Sequence, residues 1–246
     1  MPTAWPKKVI QLTPEQARTK SDWESYWLGD GIQRYSFVER FNERVFSSLQ
    51  MGDVPRKRTL EIGPGKGNFV TRYLKPGEEY FCVDRREDFC RDLAPVVSEG
   101  HAVCADVQEK MPFDDGFFDR IIAVHILEHL PDLPAALAEV RRLLTPAGAF
   151  DVVIPCEGTI LYSLGRKLSS ERAFKRRFSE DFGPIIKSDH VNTAQEIIEE
   201  LERDFVIETR FFSPLTRVPV VALNLLAGFR LKKRMAKAPS ARDGAA

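Results

Sequence analysis

The chain has 246 residues, 43% hydrophobic and 29% charged, enough for one sizeable core and too apolar for a disordered polymer. Its 36 Lys and Arg balance 36 Asp and Glu, so a dedicated nucleic-acid binder, which needs a basic excess, is disfavoured. Cys82, Cys90, Cys104 and Cys156 form no C-x-x-C pair, which excludes a zinc cluster or disulfide scaffold and fits a reducing, cytoplasmic setting; no apolar signal segment is visible, and no apolar run reaches the ~18 residues of a membrane span.

Residues 1–55 read as an N-terminal helical cap. From Ser36 onward Phe37, Val38, Phe41, Val45, Phe46 and Leu49 recur at helical spacing, and the segment before them reads as less regular. Strand and helix then alternate. "RTLEIG" (58–63) is a strand ending in a glycine turn, and "NFVTRYL" (68–74) a helix stopped by Pro76-Gly77. "EYFCVD" (79–84) is a strand, "REDFCRDLAPVV" (86–97) a helix and "HAVCAD" (101–106) a third strand. "FFDRIIAVH" (117–125) is a fourth strand. "DLPAALAEVRRLL" (132–144) is a helix broken by Pro146 and Gly148, and "GAFDVVIP" (148–155) a fifth strand. This rhythm of apolar strands and helices implies a parallel sheet covered on both faces.

Residues 156–190 are too many for a simple connection and read as a helical insert. "NTAQEIIEELERDF" (192–205) opens with Asn192 or Thr193 as N-cap and Glu196 placed for a capping box. "FVIETRFFS" (205–213) is a strand, residues 220–234 hold the last strand, and 235–246 read as a disordered tail. The main domain is thus expected over 56–234.

"LEIGPGKGNF" places Gly63, Gly65 and Gly67 between a strand and a helix, where glycine permits φ > 0 and close approach of backbone N–H groups to a ligand. The spacing is neither the dinucleotide G-x-G-x-x-G nor a P-loop. Glu61 precedes the loop. Asp84 ends the next strand, where a carboxylate can take both hydroxyls of a ribose, and Asp106 ends the third strand in the same way. With "MPFDDGFFDRIIAVHILEHLPDLPAALAEVRRLLTPAGAF" following in order, the chain resembles the class I S-adenosylmethionine-dependent methyltransferases of the small-molecule branch, closely over 58–155 and loosely over 190–234. The resemblance implies a Rossmann-like α/β fold, a seven-stranded, mostly parallel sheet with the last strand antiparallel. It implies S-adenosylmethionine as cofactor and S-adenosylhomocysteine as product. Residue by residue, Glu61 takes the acidic position before the loop, and Gly63, Gly65 and Gly67 wrap the methionine part. Asp84 holds the ribose, Arg85 flanks the adenine, Asp106 binds its amino group with Val107 as a backbone contact, and His125 lies near the sulfonium. Pro64 and Lys66 depart from the pattern at variable positions.

"AVHILEHLPD" (123–132) contains H-x-x-E-H, a zinc-peptidase signature. That reading needs both histidines on one helix, yet His125 ends a strand and Pro131 follows at once. Glu128, His129 and the later His190 remain as catalytic candidates, with His129 and His190 as bases because imidazole titrates near neutrality. Some methyltransferases of this fold hold a divalent ion at this place; the set available here would be Glu128, His129 and His190, and no metal is expected. The alternatives at these positions are a polar substrate contact and a structural role.

The insert carries Arg166, Lys167, Arg172, Lys175, Arg176, Arg177 and Lys187 against Glu157, Glu171, Glu180, Asp181 and Asp189. A cationic cap over the acceptor site would suit a phosphate- or carboxylate-bearing acceptor, and a solvated helix face is the plain alternative. The expected activity is O-methylation of a hydroxyl on a sugar, lipid-linked or natural-product acceptor. The competing readings are an N- or C-methyltransferase of a small or prenyl-type substrate, an RNA methyltransferase and a non-catalytic cofactor-binding subunit. The apolar stretch 218–229 followed by "RLKKR" permits weak membrane-surface contact. The sequence does not specify an oligomeric state.

Overall fold

The computed structural model describes residues 3–27, 36–50, 57–98 and 101–234, with side chains from 40 to 49 in the second stretch. The tail expected over 235–246 and the expected domain start at 56 lie outside the described residues.

Seven strands form one sheet: β1 (Arg58–Ile62), β2 (Glu79–Asp84), β3 (Ala102–Cys104), β4 (Phe118–Val124), β5 (Leu144–Pro155), β6 (Phe205–Ser213) and β7 (Leu226–Lys233). Their order is β3-β2-β1-β4-β5-β7-β6. The first five pair in parallel, and β7 runs antiparallel to both β5 and β6. This is the expected Rossmann-like sheet with an antiparallel last strand. The central strands are buried on both faces, with Leu60, Ile62, Ile121, Ile122 and Ala123 at 0% exposure, as a sheet covered by helices on both sides requires.

One face packs against α5 (Leu133–Leu143) and α9 (Ala194–Asp204). The other packs against α2 (Ser36–Gln50), α3 (Asn68–Tyr73) and α4 (Glu87–Val97). Helix α9 starts on the foreseen capping box: Thr193 caps the Glu196 N–H, and the Glu196 carboxylate accepts from the Thr193 N–H. Such a box satisfies two backbone donors that the helix itself leaves orphaned. The end of α2 is held by buried charge. Asp151 accepts from Arg120 Nε at 2.8 Å and Arg230 Nε at 2.8 Å, and both guanidiniums also donate to the Leu49 carbonyl.

Two expectations are corrected. The segment before Ser36 is regular over part of its length: α1 (Pro14–Tyr26) opens with a Thr13–Gln16 capping box and Pro14 in its first turn. Its apolar residues are too few for a helical stripe, and only Thr19 and Trp23 are buried. The helix does stop ahead of Pro146 and Gly148, but the strand expected from 148 starts earlier. Strand β5 begins at Leu144 and absorbs the extra residues in a register shift against β4, as a bulge does.

After β5 come α6 (Ile160–Leu168), α7 (Ser170–Lys175) and α8 (Phe182–Asp189), the expected helical insert. It builds a small core of its own from Phe174, Phe182, Ile185 and Ala173, closed by Trp23 of α1. The Trp23 ring meets those of Phe174 and Phe182 edge-on at 5.4 and 5.9 Å. The N-terminal extension therefore divides: α1 joins the insert, and α2 packs on the sheet.

Candidate active site

The strand order reverses between β1 and β4, so the C-terminal ends of these neighbours open the crevice where such sheets bind ligands. From β1 emerges the glycine loop. Gly63 has φ +63°, and a Cβ there would sit 2.5 Å from Ile126 Cγ1. Gly65 has φ +55° but meets nothing closer than Phe89 at 4.0 Å, so its backbone faces open space. The Gly65 N–H donates to Asp84 Oδ2 at 3.2 Å, and the Arg86 N–H to Asp84 Oδ1 at 2.9 Å. Asp84 is thus fixed beside the loop at the end of β2. Arg85 is exposed next to it, and Val107 is buried. Both oxygens of Asp106 accept from the Gln108 side-chain amide, at 3.0 and 3.2 Å.

Glu61 is placed differently from the rest of this set. It is 2% exposed and accepts from the Tyr80 hydroxyl at 2.9 Å. Burial raises its carboxyl to about 7, opposed by the Tyr80 hydrogen bond and the Arg120 charge. It ties β1 to β2 beneath the loop.

From β4 emerges His125, in the left-handed region at φ +51°, an uncommon conformation for a residue with a Cβ. Its Nε2 lies 2.9 Å from Asn42 Oδ1 of α2 and its Nδ1 3.5 Å from Glu128 Oε1. Leu127–His129 form a single 3₁₀ turn. Within it Glu128 is 1% exposed, with Oε2 lacking a hydrogen-bond partner among the described residues. Burial works against its charge, yet the His125 hydrogen bond and the neighbouring imidazoles hold the carboxyl below its ordinary range.

The turn is bolted to the end of the insert. The Glu128 carbonyl accepts from the Val191 and Asn192 N–H groups at 2.8 and 3.1 Å. The Asn192 amide donates to the Leu127 and Leu130 carbonyls, both at 2.8 Å. This brings His129 and His190 together, rings crossed edge-on at 4.9 Å. His129 Nδ1 lies 3.0 Å from the Asp189 carbonyl and 3.4 Å from Asp189 Oδ1. Burial opposes protonation of this imidazole, but the Asp189 hydrogen bond, with the Glu128 and Asp189 charges, lifts it to about 9. His190 Nδ1 lies 3.0 Å from Glu157 Oε2.

The structure thus gathers Glu128, His129 and His190, and sets His129 between the Asp189 and Glu128 carboxylates, which favour its protonated form. It adds three partners that sequence reasoning did not assign, Asn42, Glu157 and Asp189. Only Asp189 had a local signal, its place beside His190 in "SDH". His129, Asp189 and His190 also bring one ligand atom each within 4.8 Å of one another. Glu128, of the set named for a metal, stands outside that trio.

The expected cationic cap is partly neutralised. Arg166 pairs with Glu157 at 2.9 Å, Lys175 with Glu171 at 2.6 Å, and Arg177 lies over the Tyr26 ring at 3.7 Å.

Residues 60–152 match the family model of the methyltransferase domain. That segment carries the glycine loop and the central strands of the sheet, and in it the chain is similar to the class I S-adenosylmethionine-dependent methyltransferases. It is similar to the ubiquinone/menaquinone biosynthesis C-methyltransferase of Cupriavidus necator, 30% identical over 111 residues, 43% of this chain and 46% of that one. It is also similar to the fatty-acid O-methyltransferase of Mycolicibacterium smegmatis, 32% identical over 127 residues, 49% of this chain and 43% of that one. Each match spans less than half of the relative's length. In fold it is similar to the N-methyltransferase NodS of Bradyrhizobium japonicum, with TM-score 0.56 and 18% identity over 88% of this chain and 99% of that one.

Proposed function

We propose that this chain transfers a methyl group from S-adenosylmethionine to a hydroxyl of a small, lipid-type acceptor. The residues present fit the cofactor: Gly65 leaves open backbone at the loop where a side chain would stand, and Asp84 is fixed beside it. Gly63, Gly65, Gly67, Asp84, Arg85, Asp106 and Val107 would hold it, with Glu61 supporting the loop from below. The cofactor supplies an electrophilic methyl on a sulfonium, so the protein's work is to orient the acceptor, exclude water and remove a proton.

The observation that carries the oxygen-acceptor reading is the His190–Glu157 pair at 3.0 Å. With Nδ1–H donating to the carboxylate, His190 Nε2 keeps its lone pair, the arrangement a general base needs. A nitrogen nucleophile has less need of a held base. The unpartnered Glu128 Oε2 suits a donor group on the acceptor, since buried carboxylate oxygens are ordinarily hydrogen-bonded. The carboxylates around His129 favour its protonated form, whose charge would balance theirs. No step needs the metal option at His129, Asp189 and His190: His129 Nδ1 faces Asp189, and His190 Nδ1 faces Glu157.

Two relatives are named for a quinone pathway and for fatty acids, which favours an apolar acceptor bearing a hydroxyl or carboxylate. The test is methyl transfer from labelled S-adenosylmethionine to quinols, fatty acids and glycolipids, with product linkage read by mass spectrometry and NMR. An O-methyl product is expected, with His190→Ala lowering kcat by about 10²–10⁴ at unchanged cofactor affinity. A C- or N-methyl product, or full turnover in His190→Ala, would contradict the reading.

A further inference from the structure

Ten large hydrophobic side chains are exposed among the described residues, and six of them lie on two adjoining segments. Ile160, Leu164 and Leu168 lie on α6, at 89%, 51% and 64% exposure. Spaced by four, they make one ridge along the helix. Leu215, Val220 and Leu223 lie on the connection between β6 and β7. The inner side of α6 rests on that connection: a Cβ at Gly165 would touch Leu225 Cδ2 at 3.3 Å. The ridge is therefore a face left uncovered among the described residues, and it is aliphatic where an outer helix face should be polar.

The charges around it are predominantly basic, with Glu157 before it and Glu180 and Asp181 after it. Residues 160–178 hold Arg166, Lys167, Arg172, Lys175, Arg176 and Arg177 against a single acid, Glu171, which Lys175 occupies. The connection 214–225 holds Arg217 and no acid. Lys167, on the ridge itself, and Arg172, Arg176 and Arg217 are exposed, and no carboxylate among the described residues pairs with them. In a chain of zero net charge this is a local concentration of cations around an apolar ridge.

We propose that α6 and the β6–β7 connection form a docking surface for an anionic lipid membrane. An amphipathic helix with aliphatic side chains outward and basic residues beside them binds by burying the former between headgroups and pairing the latter with anionic lipid. A protein partner is served by aromatic anchors and polar groups, and the six exposed side chains include neither. The surface adjoins the active site, for α6 begins three residues after Glu157, the partner of His190. A docked enzyme would face acceptors held in the bilayer. That consequence rests on the methyltransferase reading above, whereas the docking does not.

The test is co-sedimentation of the full chain, without cofactor or acceptor, with phosphatidylcholine vesicles with and without phosphatidylglycerol. The wild type is expected to sediment with the anionic vesicles at low salt and about tenfold less with the neutral ones. Leu164→Ser combined with Leu168→Ser should lower partitioning by about tenfold or more. Lys167→Glu combined with Arg172→Glu should remove the preference for phosphatidylglycerol. Both variants should keep the wild-type melting temperature and S-adenosylhomocysteine affinity. A wild type that stays in the supernatant with both vesicles would overturn the proposal. So would a serine variant that sediments undiminished, or a ridge substitution whose only effect is to split a dimer in solution.

Discussion

The fold favours the protonated form of His129 through where its neighbours stand, not through its residue type. Asp189 and Glu128 surround it, and the gain from their charges exceeds the cost of burying an imidazolium. Its pKa in the fold, about 9, lies above the ordinary 6.5. The stabilisation is therefore complete below about pH 6.5 and lost as pH rises through about 9. Thermal melts across that window should show the wild type losing stability, and Asp189→Asn should flatten the slope. An equal slope in the variant would assign the pH dependence to another group. Glycines, Asp84 and the Thr193–Glu196 box are legible in the sequence because each acts within a few residues or at the end of one strand. The partners of the histidines are not, since Asn42 reaches His125 across 83 positions and Asp189 reaches His129 across 60. Such pairings are set by packing, which no local pattern encodes.

Among the elements, α1 is the one that periodicity missed and tertiary structure explains. Its buried contribution is little more than Trp23, inserted among Phe174, Phe182 and Ile185 of the insert. Lys20 of the same helix reaches Asp189 Oδ1 at 3.2 Å, so α1 supports the carboxylate that charges His129. Trp23→Ala should cost about 3–5 kcal/mol in chemical denaturation, as large-to-small changes in aromatic cores do. It should also lower turnover while leaving S-adenosylhomocysteine affinity within about twofold, because the glycine loop sits on the sheet and not on this satellite core. Wild-type turnover at reduced stability would separate α1 from the site. The insert's helices were legible from its length, but the pairing of its charges was not. A basic run looks the same in sequence whether Arg166 faces solvent or, as here, Glu157.

For the molecule as a whole, the sheet order puts the glycine loop and His125 on neighbouring strand ends, and the insert brings His190 against His129 in the turn that follows β4. The alternation of apolar strands with helices made the parallel sheet readable, and the antiparallel β7 followed from the family resemblance. The central claim is that this crevice binds the methyl donor through the loop and Asp84. Calorimetric titration with S-adenosylhomocysteine tests it most directly. The account predicts a single site in the wild type, weakened about 10- to 100-fold in Asp84→Ala, as loss of hydrogen bonds to a charged group entails. A wild type that releases no heat and binds nothing, or an Asp84→Ala variant that binds as tightly as the wild type, would contradict it.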